Sequence, residues 1–179
     1  NLKKLSKSTV LKKLGLFGSQ KLQNKDTLAK FTNISELELN YCGNLIHMES
    51  LAKLTNLVEL KICLCVNIQN CKEIEQLTKL KILKLKYCKN LLNVDGISKL
   101  KNITNLDLSK CSNLKNLDGI SNLTNIINLR ISDCENIKNV DSLYKLKNIK
   151  NLDLSYCRNL QNLKGIENLI NIKKLNMKS

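Results

Sequence analysis

Apolar residues return along this chain with a stride of 23 positions. Leu80, Leu83 and Leu85 stand before Cys88, and Ile149, Leu152 and Leu154 stand in the same spacing before Cys157. One slot is marked by Ser19, Cys42, Cys65, Cys88, Cys111, Cys134 and Cys157, each a full stride after the last. No insertion or deletion interrupts the register from Leu11 to Asn171. The pattern divides the chain into a basic N-terminal flank or partial capping repeat at 1–10, seven repeats at 11–171, and the strand of a truncated eighth repeat at 172–179.

Within a repeat, alternation such as Leu106-Asp107-Leu108 predicts a short strand with every second side chain inward. Successive strands then stack into one parallel sheet. After the Cys, apolar residues come every third position at Leu114, Leu117, Ile120, Leu123 and Ile126, which suits an extended or 3₁₀ return better than a long helix. Asp95, Asp118 and Asp141 share one slot at the start of this return and are expected to cap a helical turn; a carboxylate metal site is the alternative. A single repeat cannot bury its apolar side, but a stack can, and each repeat is stabilised mainly by its neighbours. The first repeat is worn, with Ser19 for Cys and Lys25 for an apolar residue, as a terminal cap reads. The strand edge at the C-terminal end is expected to be covered by further repeats or another chain.

The residues L-x-x-L-x-L-x-x-C resemble the leucine-rich-repeat family, over about nine-tenths of the chain. The resemblance implies an α/β solenoid: a horseshoe with a parallel sheet on the concave face and short 3₁₀, extended or helical turns on the convex face. The usual form has one residue between the Asn or Cys and the next Leu, whereas Cys111-Ser-Asn-Leu114 has two. In this respect the repeats are similar to the 23-residue, Cys-containing repeats of protozoan proteins, kinetoplastid ones among them. The family usually binds through the concave strand face.

Two rows of Asn recur. Asn44, Asn67, Asn90, Asn113, Asn136 and Asn159 form one; Asn24, Asn70, Asn93, Asn116, Asn139 and Asn162 form the other. Both are expected to bridge backbone groups of successive turns. His47 stands in the second row as a hydrogen-bonding substitute, or else as a base or ligand. The six Cys in the repeated slot point the same way, which disfavours disulfide closure. They read as reduced, buried small hydrophobes, with Cys71 also in the core. Cys63 faces outward and is the thiol expected to react. Reduced thiols favour the cytoplasm or nucleus. The glycosylation-type triplets at Asn33, Asn102 and Asn122 carry the secreted or surface alternative.

Composition narrows the function. Aromatics are only 3% of the chain, which argues against base reading by ring stacking. No nucleophile–base pair, phosphate loop or ligand cluster is present in the sequence, so no enzyme, cofactor or metal is expected. Lys and Arg exceed Asp and Glu by 30 to 15. Outward strand positions hold eight basic and six acidic side chains, and residues 1–30 hold eight Lys and one Asp. The expected function is a protein-interaction scaffold with its partner on the concave face. Candidate residues are the lane Tyr41, Leu64 and Tyr87, the acidic block Glu36, Glu38 and Glu59, the basic block Lys61, Lys84 and Lys86, and Arg130 and Tyr156. The bland alternative is that the lane packs on the strand rim and the charges are solvated. The functional alternative is a binder of nucleic acid or another acidic surface through basic flanks, especially residues 1–30.

Overall fold

The computed structural model describes residues 2–18, 25–45 and 48–178, without the side chains of Lys25 and Asp26. Eight strands form one sheet in chain order, every neighbouring pair parallel. They are β1 (Lys13–Phe17), β2 (Glu36–Asn40), β3 (Glu59–Cys63), β4 (Ile82–Lys86), β5 (Asn105–Asp107), β6 (Asn128–Arg130), β7 (Asn151–Asp153) and β8 (Lys174–Asn176). Strand partners are one sequence repeat apart, as in Leu60↔Leu83 and Leu106↔Leu129, so the sequence period and the sheet register are the same quantity. Side chains alternate as read: in β2, β3 and β4 the second and fourth residues, all Leu or Ile, are buried and the residues between them face out.

The return segments are 3₁₀ turns at Glu49–Leu51, Lys72–Gln76, Asp95–Ile97, Asp118–Ile120 and Asp141–Leu143. Two four-residue helices, α1 (Leu2–Leu5) and α2 (Lys25–Leu28), lie near the N terminus. A third-position apolar residue points inward in each turn of a 3.0-residue helix, so Leu114, Leu117, Ile120, Leu123 and Ile126 all reach the core, each at most 1% exposed.

The capping role falls on different residues from those expected. Asp95, Asp118 and Asp141 are the first residues of their turns, and the preceding Val94, Leu117 and Val140 offer no side-chain cap. The second Asn row supplies it: the backbone N–H of Asp95 donates to Asn93 Oδ1 at 3.3 Å and that of Asp118 to Asn116 Oδ1 at 3.1 Å. Among the described residues that row therefore acts within its own turn rather than between repeats, because an Asx side chain reaches the N–H two residues on. The first row does bridge: Asn159 Nδ2 donates to the Glu135 carbonyl at 2.8 Å, and Asn136 Nδ2 to Asn113 Oδ1 at 3.4 Å. A further row performs the same task before β3 and β5 to β8. Asn56, Asn102, Asn125, Asn148 and Asn171 each donate to a carbonyl 24 residues earlier at 2.8–3.0 Å. Asn102, one of the glycosylation-type positions, is thus engaged through its amide nitrogen. His47, Ser19 and Asn24 lie outside the described residues.

None of the eight Cys is in a disulfide. The repeated Cys do more than fill space. Cys111, Cys134 and Cys157 donate to the carbonyls of Leu85, Leu108 and Ile131 at 2.9, 3.2 and 3.1 Å, each in the preceding repeat. They satisfy acceptors at the corner where the strand ends and regular pairing stops. Burial pushes the Cys71 and Cys134 thiols up to about 12.

Candidate functional site

The outward face of the sheet carries three lanes of side chains, and a fourth runs along its rim. The rim lane is Gly18, Tyr41, Leu64, Tyr87, Lys110, Asp133 and Tyr156, immediately after the strands. Every one of these residues has a left-handed backbone, with φ between 56° and 65°. Their N–H groups continue the ladder to the next repeat, for example Leu64 N–H to the Lys86 carbonyl at 2.9 Å and Lys110 N–H to the Ser132 carbonyl at 2.8 Å. The chain therefore turns off the sheet at a position that glycine occupies without strain and other residues do not.

On this rim Tyr41 is 52% exposed and Tyr156 44%. The Tyr41 ring meets Phe17 with centroids 4.9 Å apart, tilted by 54°. Leu64 and Tyr87 are half-buried. The Lys110 ammonium lies 5.1 Å from the centre of the Tyr87 ring and 3.2 Å from an Asp133 carboxylate oxygen. The hydrogen bond to Asp133 is the main reason the Lys110 ammonium is held above its ordinary pKa. The rim is thus aromatic and aliphatic toward the N-terminal end, then ionic, then aromatic again.

The charge blocks of the N-terminal strands largely satisfy themselves. Glu36 pairs with Lys13 at 2.9 Å, and the hydrogen bond from that Lys holds its carboxyl below the usual range. Glu59 pairs with Lys61 at 2.7 Å, and Glu38 accepts from Asn40 Nδ2 at 2.8 Å. Cys63 does face out, but it is half-buried, and burial raises its thiol. It remains the most accessible of the eight thiols, and burial disfavours its thiolate.

The C-terminal strands are different. Across β4–β8 the outward face encloses a cleft of about 740 Å³, within the range of ligand-sized sites. Its floor includes Lys84, Asp107, Arg130 and Asp153, one from each of β4 to β7 and in register. Beside them Asn105, Asn128 and Asn151 form a row, with Asn128 Nδ2 donating to Asn105 Oδ1 at 3.3 Å and Asn151 Nδ2 to Asn128 Oδ1 at 2.5 Å. Asp107 Oδ1 accepts both the N–H (3.0 Å) and the hydroxyl (2.6 Å) of Ser109; Asp153 and Ser155 repeat this at 3.0 and 2.6 Å. Among the described residues, the side chains of Lys84, Lys86 and Arg130 make no hydrogen bond or ion pair.

Two of the residues singled out from the sequence, Lys84 and Arg130, share this cleft. Lys86 ends β4, the strand that carries Lys84, and Tyr156 stands on the rim after β7. Tyr41, Glu36, Glu38, Glu59 and Lys61 lie on β2 and β3 or just after them, away from the cleft. The Asp–Ser clamps and the Asn row were not selected from the sequence. Their signal was there in Asp107-Leu-Ser109 and Asp153-Leu-Ser155, a carboxylate and a hydroxyl two apart on one strand face. Among the described residues no group of three or more His, Cys, Asp or Glu could hold a metal ion, and no helix is long and apolar enough to cross a membrane.

The family described as Zer-1-like leucine-rich repeats matches residues 95–177. A search of curated protein sequences finds no match. Among solved structures, a leucine-rich-repeat protein of Leptospira interrogans is similar at 24% identity and TM-score 0.63, over 98% of this chain and 57% of that one. The chain thus spans little more than half the length of that protein. The Arabidopsis receptor kinase HAESA, solved with the peptide hormone IDA and the co-receptor SERK1, matches at 18% identity and TM-score 0.61, over 92% of this chain and 28% of that one. TLR13, solved in complex with ssRNA13, matches at 25% identity and TM-score 0.66, over 97% of this chain and 26% of that one. The narrower likeness to protozoan repeats rests on the sequence pattern alone. With its in-register repeats, its single parallel sheet in chain order and these likenesses, the chain has the leucine-rich-repeat fold, and its residues 95–177 match a leucine-rich-repeat family.

Proposed function

We propose that the chain is a protein-interaction scaffold whose partner lies on the outward strand face and the rim beside it. The observation that carries this reading is the left-handed rim. A non-glycine residue there costs about 1 kcal/mol. Gly18 shows that glycine fits the slot, and Asn, which tolerates this backbone better than bulkier residues, is abundant in the chain. Tyr41, Leu64, Tyr87 and Tyr156 nevertheless stand at these positions. Strain retained at side chains that are exposed or half-buried on the rim points to a use for those side chains, and Tyr is a frequent anchor at protein interfaces. Lys84, Lys86 and Arg130, unpaired on the adjoining strands, supply the polar part of the same surface. Glu36, Glu38, Glu59 and Lys61 contribute less, since each already has a partner in the fold. HAESA, a structural neighbour, is solved with a peptide hormone, in keeping with this reading.

The test starts by replacing Tyr41 or Tyr156 with a photo-crosslinking phenylalanine and identifying what is captured in the source cells. Lys147, exposed on the turn before β7, serves as the control position. Leu64→Gly with Tyr87→Gly should then leave the fold as stable or more so, while affinity for the captured protein falls at least tenfold. Undiminished affinity would sink the assignment.

A second reading is a binder of nucleic acid through the basic flank. Lys3, Lys4, Lys7, Lys12 and Lys13 are exposed there, and TLR13 is solved with single-stranded RNA. It predicts affinity for generic RNA that drops steeply with salt. A flat salt response removes it.

A further inference from the structure

Arg130 is the one arginine on the outward face of the sheet, and it is exposed at the centre of the C-terminal cleft. In register it sits between Asp107 on β5 and Asp153 on β7, yet its guanidinium is within ion-pair distance of neither. The neighbouring carboxylates are turned to partners in their own repeats. Each Asp is held down by the N–H and hydroxyl of the Ser two residues on, through the same Oδ1. Asp107 is thereby nine-tenths buried, at 7% exposure. The fork of Arg130 is exposed with its donors unused, over a floor whose two carboxylates are already engaged.

From this we infer that the cleft binds an extended protein segment that presents one carboxylate side chain to Arg130; the inference rests on the protein-interaction reading above. A planar guanidinium offers two parallel N–H donors that match a carboxylate. The lining has a basic excess, with Lys84, Arg130, Lys173 and Lys174 against Asp107 and Asp153. The cleft runs across β4–β8, four strand spacings or about 19 Å, which an extended segment of about six residues would span. Along that path the Asn105–Asn128–Asn151 row offers amide groups to the segment's backbone. A polyphosphate fits less well: the two fixed carboxylates on either side of Arg130 repel a second and third negative charge, and no aromatic side chain lines the floor for a base to stack on.

The chain has two arginines, Arg130 and the exposed Arg158 outside the cleft, so their side-chain N–H groups give two NMR signals, one of them a built-in control. The full chain is titrated with a blocked Ser-Ser-Glu-Ser-Ser peptide, with its Gln counterpart, with sodium acetate and with a single-stranded RNA oligonucleotide. The expected result is a saturable shift of Arg130 alone with the Glu peptide, at least tenfold weaker with the Gln peptide, and weakened about tenfold in Arg130→Lys. Equal responses to the Glu and Gln peptides, an equal response to acetate, equal movement of Arg158, or a larger response to RNA would each overturn it. If the captured partner still depends on Leu64 and Tyr87 but binds Arg130→Gln unchanged, this inference fails and the scaffold reading stands. If the Leu64→Gly and Tyr87→Gly variant binds unchanged while Arg130 shows its peptide response, the rim assignment fails by itself.

Discussion

The thiol of Cys111 donates to the carbonyl oxygen of Leu85, 26 residues earlier, at 2.9 Å. Both groups are buried at the corner where the chain leaves the sheet. Cys111→Ala removes the donor and leaves a buried acceptor unpaired beside a small void. It should destabilise the protein by about 1–3 kcal/mol. Cys111→Ser keeps a donor and should recover part of the loss. Urea unfolding of the three proteins under reducing conditions measures it. Equal loss in both variants would mean that the thiol acts only by volume.

Burial of the thiols predicts a dependence on alkaline pH. Cys71 and Cys134 are pushed up to about 12, whereas an unfolded Cys titrates near 8.5. A folded-state pKa above the unfolded one means that the native chain holds protons the unfolded chain has lost. The stabilisation is complete below about pH 8.5 and is lost as pH rises toward 12, at roughly 1.4 kcal/mol per pH unit for each thiol. Cys71→Val is the informative variant, because Val94 and Val140 fill the same slot in other repeats. It should retain stability at pH 7 and fall less steeply between pH 9 and 10. An unchanged slope would count against the buried-thiol account.

Relief of backbone strain should be measurable apart from binding. Leu64 has φ of 58°. Leu64→Gly or Leu64→Asn should raise the urea midpoint, by an amount corresponding to about 0.5–1 kcal/mol. A clear loss would show that packing of the Leu64 side chain outweighs the strain.

Glycines in two settings should respond oppositely. A Cβ on Gly119 would overlap the backbone of Val94 and Asp95 in the preceding repeat, while one on Gly15 meets nothing within 4 Å. Gly119→Ala should cost about 1–3 kcal/mol as the repeats are forced apart. Gly15→Ala, on the exposed face of β1, should be neutral or stabilising by about 0.5 kcal/mol. Thermal unfolding of the pair checks the difference; equal effects would mean that repeat spacing at the 3₁₀ turn is not tight.

The sequence by itself determined the register of the strands and the spacing of the return segments. Leu60 and Leu83 are strand partners because one full period separates them, and the every-third-position spacing from Leu114 to Ile126 dictates a 3₁₀ return. These features are legible because every repeat stacks on a copy of itself, so local pattern and global packing agree. The sequence also showed which side chains face outward, including Tyr41, Leu64, Tyr87, Lys84 and Arg130. Only the tertiary structure decided how those side chains are held. Whether Glu36 is available depends on Lys13 in the preceding repeat, and the carboxylates on either side of Arg130 are engaged by Ser109 and Ser155 rather than by its guanidinium. The left-handed backbone of the Tyr41–Leu64–Tyr87 lane was equally hidden, because the residues that usually announce it, Gly and Asn, are absent from that lane after Gly18. Partnership between outward side chains is a matter of ångströms across strands, and a one-dimensional period carries no such distances.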